Sequence, residues 1–236
     1  MFEDVSFSVR KGEVLGFAGL VGAGRSDIMA SLFGASEFDK GVITLDGEKM
    51  RFKNTEQAIA KGLAMVPEDR KGSGLVLSNS VGFNIALAAT RSLGRGPFID
   101  FRKREQLIDR MIRGLSIKTR TPSQEVRSLS GGNQQKVVLA KWLATDPKVL
   151  ILDEPTRGVD VGAKHDIYGI IDDLAKAGMG VILVSSELEE ILNLCDAVCV
   201  VRRGRIVKKL SRGELSQETI MHFAAGSENT AAPNHA

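Results

Sequence analysis

Five short runs of almost entirely apolar residues recur along the chain, and amphipathic stretches of helix length separate them. Strands of a parallel sheet are covered by helices on both faces, so they are apolar throughout rather than alternating. Such strands in alternation with helices predict an α/β domain with a mostly parallel core sheet. The predicted strands are Val14–Ala18, Leu63–Val66, Val149–Leu152, Val181–Val184 and Ala197–Val201.

Four further segments are shorter or more polar, and glycine-containing turns lie beside them. Turns of this kind favour hairpins, so these segments predict a small antiparallel β layer. The segments are Ser6–Arg10, Val42–Leu45, Met50–Phe52 and Arg205–Lys209, and the turns are Arg10–Gly12, Asp46–Gly47 and Arg203–Gly204.

The middle of the chain differs from the rest. Helix formers dominate from Ser78 to about Thr119, and Asp100–Arg113 has the pattern of a charged amphipathic helix. We therefore expect one domain over residues 1–225, with a helical subdomain at about 78–145. Residues 226–236 show no periodicity and predict a disordered tail.

Composition excludes several classes of protein. Hydrophobic residues make up 43% and charged residues 26% of the 236 residues, which excludes a disordered or fibrous chain. The 32 Lys and Arg against 29 acidic residues give no electrostatic reason to expect nucleic acid as a partner. The apolar runs are shorter than the roughly 20 residues of a membrane span, so we expect a soluble chain. Cys195 and Cys199 form no disulfide framework, which fits a reducing cytosol.

A glycine-rich loop, Gly19–Ser26, follows the first predicted strand and leads into a helix that starts near Gly24. Glycines let backbone N–H groups approach phosphates, and the helix N-terminus adds its positive end. Ser26 occupies the position that binds Mg²⁺ in such loops, whereas Arg25 stands where the pattern has Lys. The alternative is a glycine-rich turn without a ligand.

Two carboxylates, Asp153 and Glu154, end the predicted strand Val149–Leu152. Ligands of open α/β sheets bind at this edge of the sheet. Asp153 would hold Mg²⁺ through water, and Glu154 would polarise an attacking water. The alternative is a surface carboxylate pair that caps the next helix. Co-occurrence with the glycine-rich loop favours the functional interpretation.

A third segment, Leu129–Lys136 with the sequence LSGGNQQK, precedes a predicted helix through Leu143. Ser130 would cap this helix, and the following glycines would expose free N–H donors to an anion. A capped helix without a ligand is the alternative.

The order of the three segments resembles the ATP-binding cassette (ABC) ATPases, which share the P-loop NTPase fold. LSGG followed within about twenty residues by LILDEPT is specific to that family, and the match covers about Asp4 to Phe223. Five segments narrow the resemblance to the second, C-terminal cassette of the double-cassette ATPases of monosaccharide importers of the ribose, galactose, xylose or arabinose type. They are GLVGAGRS, VPEDRKGSGL, LSGGNQQK, DEPTRGVDVGAK and VSSELEE.

The resemblance implies a site residue by residue. In the family two cassettes sandwich two ATP molecules, and each site joins one cassette's phosphate loop to the other's signature peptide. Catalytic roles fall to Glu154, to Glu68 at the loop glutamine and to Ser186 at the switch histidine, and metal binding falls to Ser26 and Asp153. Asp160 matches the aspartate of the loop that links the two sites. Nucleotide contacts fall to Gly19, Gly22, Ala23, Gly24, Arg25, Ser26 and Asp27, and across the dimer to Ser130, Gly131, Gly132 and Gln134.

Three departures from the family pattern bear on chemistry: Arg25 for Lys, Glu68 for Gln and Ser186 for His. Serine lacks the reach and the titratable ring of histidine. Glu68 adds negative charge near phosphates unless Mg²⁺ or Arg70 compensates. These changes predict that the chain's own nucleotide site is weakened, whereas its signature peptide is intact. The family also has a leading strand and an adenine-stacking aromatic residue before Val5, so we expect this chain to be a fragment of a longer polypeptide.

The resemblance implies an ATP hydrolase, weakly active alone, that uses ATP and Mg²⁺ to power import of a monosaccharide. Its partners would be another cassette, transmembrane permease subunits and, indirectly, a sugar-binding protein, with no nucleic acid. It would sit in the cytoplasm, peripheral on the inner face of the membrane. The alternative is a regulatory or scaffolding cassette with little hydrolysis. A ribosome- or DNA-directed ATPase would need basic insertions or coiled coils, and the sequence has neither.

Overall fold

The structure, a computed structural model, describes residues 2–95 and 98–226. Its strands are β1 (Val14–Ala18), β2 (Ile43–Leu45), β3 (Glu48–Met50), β4 (Leu63–Val66), β5 (Gly94–Arg95), β6 (Phe98–Ile99), β7 (Val149–Asp153), β8 (Gly180–Val184), β9 (Ala197–Arg202) and β10 (Arg205–Ser211). Its α-helices are α1 (Arg25–Leu32), α2 (Thr55–Ala60), α3 (Val81–Leu87), α4 (Phe101–Gly114), α5 (Gly131–Leu143), α6 (Val161–Lys176), α7 (Leu188–Leu194) and α8 (Gln217–Ala225).

A six-stranded sheet forms the centre of the fold, in the order β10-β9-β1-β8-β7-β4. Every neighbouring pair is parallel except β9 and β10, which are antiparallel. The predicted mostly parallel core sheet is confirmed. Because β1 lies inside the sheet, the loop that follows it emerges between the carboxyl ends of β8 and β9.

Side chains of β1 alternate between two apolar cores, one on each face of the sheet. Val14 and Ala18 belong to the larger core, whereas Leu15 and Phe17 belong to the smaller one. A strand covered on both faces has no polar side, which explains why the sequence of β1 is apolar at every position. All five residues of β1 are buried.

Two of the predicted antiparallel segments do not belong to a separate small layer. Ser6–Arg10 forms no strand, although the chain there is anchored by Phe7, whose ring meets that of Phe17 edge to face at 4.9 Å. The turn Arg10–Gly12 therefore closes no hairpin. The last segment extends to Ser211 and joins the large sheet through its pairing with β9, rather than a separate small layer.

The hairpin of β2 and β3 forms the small antiparallel layer. Its turn is Asp46–Gly47, with both residues at positive φ, 51° and 84°. Such a two-residue turn pairs Leu45 with Glu48, so β3 begins at Glu48 and ends at Met50, earlier than predicted.

Helices α3, α4 and α5 pack on one another in the region predicted to be helical. Asp100 caps α4 through the backbone N–H of Lys103 at 3.0 Å, as the predicted Asp100–Arg113 helix requires. A two-residue ladder of β5 and β6 was not predicted. The subdomain at about 78–145 stays a prediction, since α5 also packs against β4. Of the predicted tail, all but Gly226 lies outside the described residues.

None of the described helices is long and apolar enough to cross a membrane.

Candidate nucleotide site

The glycine-rich loop lies at the carboxyl end of β1 and runs directly into α1. Gly22 and Gly24 adopt φ values of 80° and 92°, a region that favours glycine. A Cβ on Gly19 would lie 2.3 Å from the carbonyl oxygen of Val201, so the loop also needs glycine where it passes β9. The N–H groups of the first turn of α1 have no partner within the helix, which makes this end an anion site.

Asp153 lies beside this loop at the end of β7 and is only 3% exposed. Burial raises the pKa of Asp153, and a hydrogen bond from Ser26 and the charge of Arg25 offset part of that effect. Its Oδ1 atom has no hydrogen-bond partner among the described residues. An unpartnered, buried carboxylate oxygen beside a serine hydroxyl suits a hard cation such as Mg²⁺, which prefers oxygen ligands.

Glu154 is held in one orientation by the strand next to it. Its backbone N–H donates to the carbonyl of Val184 at 2.9 Å. Its Oε2 accepts hydrogen bonds from the backbone N–H and the hydroxyl of Ser186, both at 3.0 Å. Glu154 also has a positive φ of 49°, which is rare for a residue other than glycine and is typical of functional sites.

Arg25 turns inward rather than toward solvent. Its Nη1 donates to the carbonyl of Ser185 at 2.6 Å, and its Nη2 lies 3.4 Å from Oε1 of Glu154. The residue is 7% exposed, and desolvation lowers the pKa of Arg25 while the charges of Glu154 and Asp153 raise it. The guanidinium is therefore held by a backbone carbonyl and by the carboxylate of Glu154.

One cleft of about 350 Å³ brings most of the predicted site residues together. Asp153 and Gly19 do not line the cleft, although Asp153 is buried beside Ser26, which does. The residues that line the cleft are Val21, Gly22, Ala23, Gly24, Arg25, Ser26, Asp27, Glu68, Glu154, Arg157 and Ser186.

The LSGGNQQK segment lies apart from this cleft, at the start of α5. Ser130 caps the helix, and its hydroxyl is 3.5 Å from the backbone nitrogen of Asn133. Ser130 is exposed and borders a second cleft of about 380 Å³. That cleft is lined by Lys118, Thr119, Arg120, Gln124, Ser128, Leu129 and Ser130.

The remaining residues of the segment are more deeply placed. Gly132 is buried, and a Cβ there would lie 2.3 Å from Cβ of Ala163. Gln134 is 6% exposed and donates to the carbonyls of Val126 and Leu129. Gln134 is therefore buried at the start of α5, and its contact with a nucleotide stays a prediction.

Comparison with known proteins agrees with this arrangement. The family model described as ABC transporter matches residues 2–157, which is more than half of the chain. The chain belongs to the ABC transporter family.

Curated ABC relatives include the ribose import ATP-binding protein RbsA of Halalkalibacterium halodurans, 48% identical over 96% of this chain and 46% of the relative. The arabinose import ATP-binding protein AraG of Burkholderia pseudomallei is 50% identical over 93% of this chain and 44% of the relative. The chain therefore spans less than half the length of these curated relatives.

Solved structures show the same ABC fold at low sequence identity. One ATP-binding cassette of an ABC transporter superposes with a TM-score of 0.81 at 20% identity, covering 95% of this chain and 91% of that one. A nucleotide-free cassette gives 0.77 at 21% identity over 95% and 88%. The predicted ABC-type fold is confirmed.

The sequence analysis missed Arg157, which forms an ion pair with Glu68 at the cleft. Arg70, expected as one means of compensating the charge of Glu68, instead lies 3.5 Å from Oε1 of Gln135 on α5. Glu68 and Arg157 lie in two of the segments quoted for the ABC resemblance, but nothing in their spacing pairs them.

Glu190 was also missed. It is 1% exposed on α7, its two carboxylate oxygens have no hydrogen-bond partner among the described residues, and burial raises the pKa of Glu190 to about 7. Glu190 closely follows Ser186 in sequence, but its burial depends on how α7 packs against β1, which the sequence does not reveal.

Proposed function

We propose that the chain is an ATP-binding and ATP-hydrolysing cassette that serves import of a monosaccharide. The observation that carries the proposal is the unpartnered Oδ1 of buried Asp153, beside Ser26 and the glycine-rich loop at the N-terminus of α1. A surface carboxylate that capped the next helix would not be buried, and the cap of α6 is Asp160, which accepts from the N–H of Ala163 at 3.0 Å.

Each residue of the site has a role in this function. The loop N–H groups from Gly22 to Ser26 would bind the phosphates. Ser26 and Asp153 would hold Mg²⁺, which when bound neutralises phosphate charge and orients the phosphate oxygens. Glu154 would accept a proton from the attacking water at its carboxylate. Ser186 fixes Glu154 through two hydrogen bonds, so its role here is to position the base.

The finer proposal is that this is the second cassette of a double-cassette protein, with a weakened site of its own and a signature peptide that acts on the other site. Support comes from the ribose and arabinose import proteins, of which this chain matches less than half. Arg25, Glu68 and Ser186 are the three departures that weaken the site. Ser130 and Gly131 would contact the nucleotide of the other cassette.

The partners follow from this proposal. A first cassette would complete the two nucleotide sites. Permease subunits in the membrane would respond to the conformational changes of the two cassettes, and a sugar-binding protein would be an indirect partner. The chain would then lie in the cytoplasm, at the inner face of the membrane. Exposed apolar side chains on and before α3, Val76, Phe83 and Leu87, are available for contact with a permease.

One observation favours a second candidate, a regulatory cassette with little hydrolysis. Arg25, the cation of the phosphate loop, is engaged by the carbonyl of Ser185 and by Glu154. A loop cation held in this way contributes less to binding a terminal phosphate. A regulatory cassette of this kind would still bind ATP but would hydrolyse it only slowly.

Calorimetric titration of the purified chain with ATP, with and without Mg²⁺, tests the proposal. We expect binding that Mg²⁺ strengthens, and we expect Asp153→Asn and Ser26→Ala to reduce that strengthening. Ser8→Ala, an exposed serine outside the site, is the control. Absence of ATP binding, or Asp153→Asn binding Mg-ATP as the unaltered chain does, would refute the proposal. Phosphate release by the assembled transporter then separates the hydrolysing from the regulatory cassette.

A further inference from the structure

We infer that Arg157 is a phosphate-binding residue of this site and that Glu68 holds it until a nucleotide arrives. The inference rests on the proposed ATP-binding function and deepens it. It assigns a cation to the terminal phosphate of ATP in a site where Arg25, the cation of the glycine-rich loop, is already bonded to Ser185 and Glu154.

The two side chains meet across the mouth of the cleft. Glu68 follows β4 and Arg157 follows β7, and these strands are parallel neighbours, so both residues emerge at the carboxyl edge of the sheet. Nη1 of Arg157 pairs with Oε1 of Glu68. Both residues line the same cleft as the glycine-rich loop and Glu154.

Both side chains are exposed enough to exchange partners. The side chains of Arg157 and Glu68 are 67% and 41% exposed. Ion pairs this exposed contribute little to stability, so the arginine can leave Glu68 at small cost. Arg25 differs in this respect, because it is 7% exposed and bonded to the carbonyl of Ser185.

Arg157 is the exposed one of the two cations that line the cleft. Its lining residues carry three carboxylates, on Asp27, Glu68 and Glu154, and two guanidinium groups, on Arg25 and Arg157. A triphosphate adds further negative charge at this place. The planar fork of arginine can bind phosphate oxygens through two N–H groups, and a bidentate pair of this kind is stronger than a single exposed contact with a carboxylate.

If Arg157 moves from Glu68 to the phosphate, substitutions of these two residues should have opposite effects on ATP binding. Loss of Arg157 removes a phosphate contact and weakens ATP binding. Loss of the Glu68 charge removes the competitor for Arg157 and strengthens ATP binding. If the pair were instead a rim contact that stays closed around the nucleotide, both substitutions would have the same small effect.

The experiment compares the affinities of the chain for ATP and ADP by calorimetry in excess Mg²⁺. We expect Arg157→Gln to weaken ATP binding about 10-fold and ADP binding about two-fold or less. We expect Glu68→Gln to strengthen ATP binding about two- to five-fold, and the double variant to bind like Arg157→Gln. The matched controls are Arg91→Gln and Glu56→Gln, an ion pair of similar exposure outside the cleft, which should leave both affinities unchanged.

The outcomes separate this inference from the function on which it rests. If the unaltered chain binds no nucleotide, the proposed function fails and this inference fails with it. If the unaltered chain binds ATP but Arg157→Gln binds ATP and ADP unchanged, the inference alone is wrong. Weaker ATP binding by Glu68→Gln would also overturn it. Because both side chains are exposed, circular dichroism and thermal midpoints should match across the variants.

Discussion

Gly132 gives the sharpest test of how the signature peptide is held. A Cβ at this position would lie 2.3 Å from Cβ of Ala163, and the next atoms, Cα of Ala163 and Cγ1 of Val159, are both at 3.7 Å. Carbon atoms that are not bonded pack at about 3.5–4.0 Å, so α5 and α6 must separate to admit the methyl group. Overpacking of this kind costs about 1–3 kcal/mol.

Gly132→Ala should therefore lower the free energy of unfolding by about 1–2 kcal/mol after the better helix propensity of alanine is subtracted. For a chain of this size the thermal midpoint falls by about 2–4 °C for each kcal/mol. Urea unfolding followed by circular dichroism and a thermal scan measure both quantities. In the assembled transporter, the shift of α5 should also reduce ATP hydrolysis, because Ser130 and Gly131 move with the helix.

Two controls make the reasoning refutable. Gly169→Ala, on α6 where a Cβ meets nothing within 4 Å, should raise the stability by about 0.5–1 kcal/mol. Ala163→Gly combined with Gly132→Ala should recover about 1–2 kcal/mol relative to the sum of the single changes, since the colliding atom is absent. If Gly132→Ala and Gly169→Ala both stabilise the protein, the packing argument is wrong.

Two further predictions concern carboxylates. Glu154→Gln should keep ATP binding and lower turnover by about 100-fold or more in an assembly whose other site is disabled; equal turnover would show that Glu154 is not the base. Glu190 has an ordinary pKa of 4.5 and a pKa of about 7 in the fold, so it destabilises the folded state increasingly as the pH rises from 4.5 to 7. Glu190→Gln should therefore be the more stable protein at pH 8 by at most about 3 kcal/mol, with a smaller advantage at pH 5, as measured by urea unfolding. The same difference at both pH values would contradict the assignment.

The core strands were predictable because burial on both faces leaves a continuous apolar run. β1 has the predicted bounds, and β7 and β8 each differ by one residue, Asp153 and Gly180. The phosphate loop was predictable for a related reason, since its glycines and the start of α1 are adjacent in sequence. The local sequence was therefore sufficient to predict these elements.

Contacts between distant segments were not predictable. Nothing in the sequence pairs Glu68 with Arg157, or directs Arg25 to the carbonyl of Ser185, because the order of strands in the sheet decides which loops meet. The segment Ser6–Arg10 was misjudged for the same reason. Its alternating pattern suits an edge strand, but none of the described strands pairs with it.

The claim that this cassette contributes chiefly through its signature peptide is tested most directly by ATP hydrolysis in the complete transporter. Gly131→Asp and Arg25→Ala are compared side by side there. A Cβ on Gly131 meets the carbonyl oxygen of Gly158 at 3.3 Å and Nη2 of Arg70 at 3.4 Å, so the fold can admit the new side chain with small shifts. Donors aimed at a developing charge contribute about 100- to 1,000-fold to a rate.

We therefore predict that Gly131→Asp nearly abolishes hydrolysis, because a carboxylate would face the phosphates of the other site. Arg25→Ala should cost much less if, as we propose, Glu68 and Ser186 already weaken the site that Arg25 serves. Thermal midpoints of both variants exclude loss of folding as the cause. An equal or greater loss of hydrolysis from Arg25→Ala would contradict the account and indicate two equivalent sites.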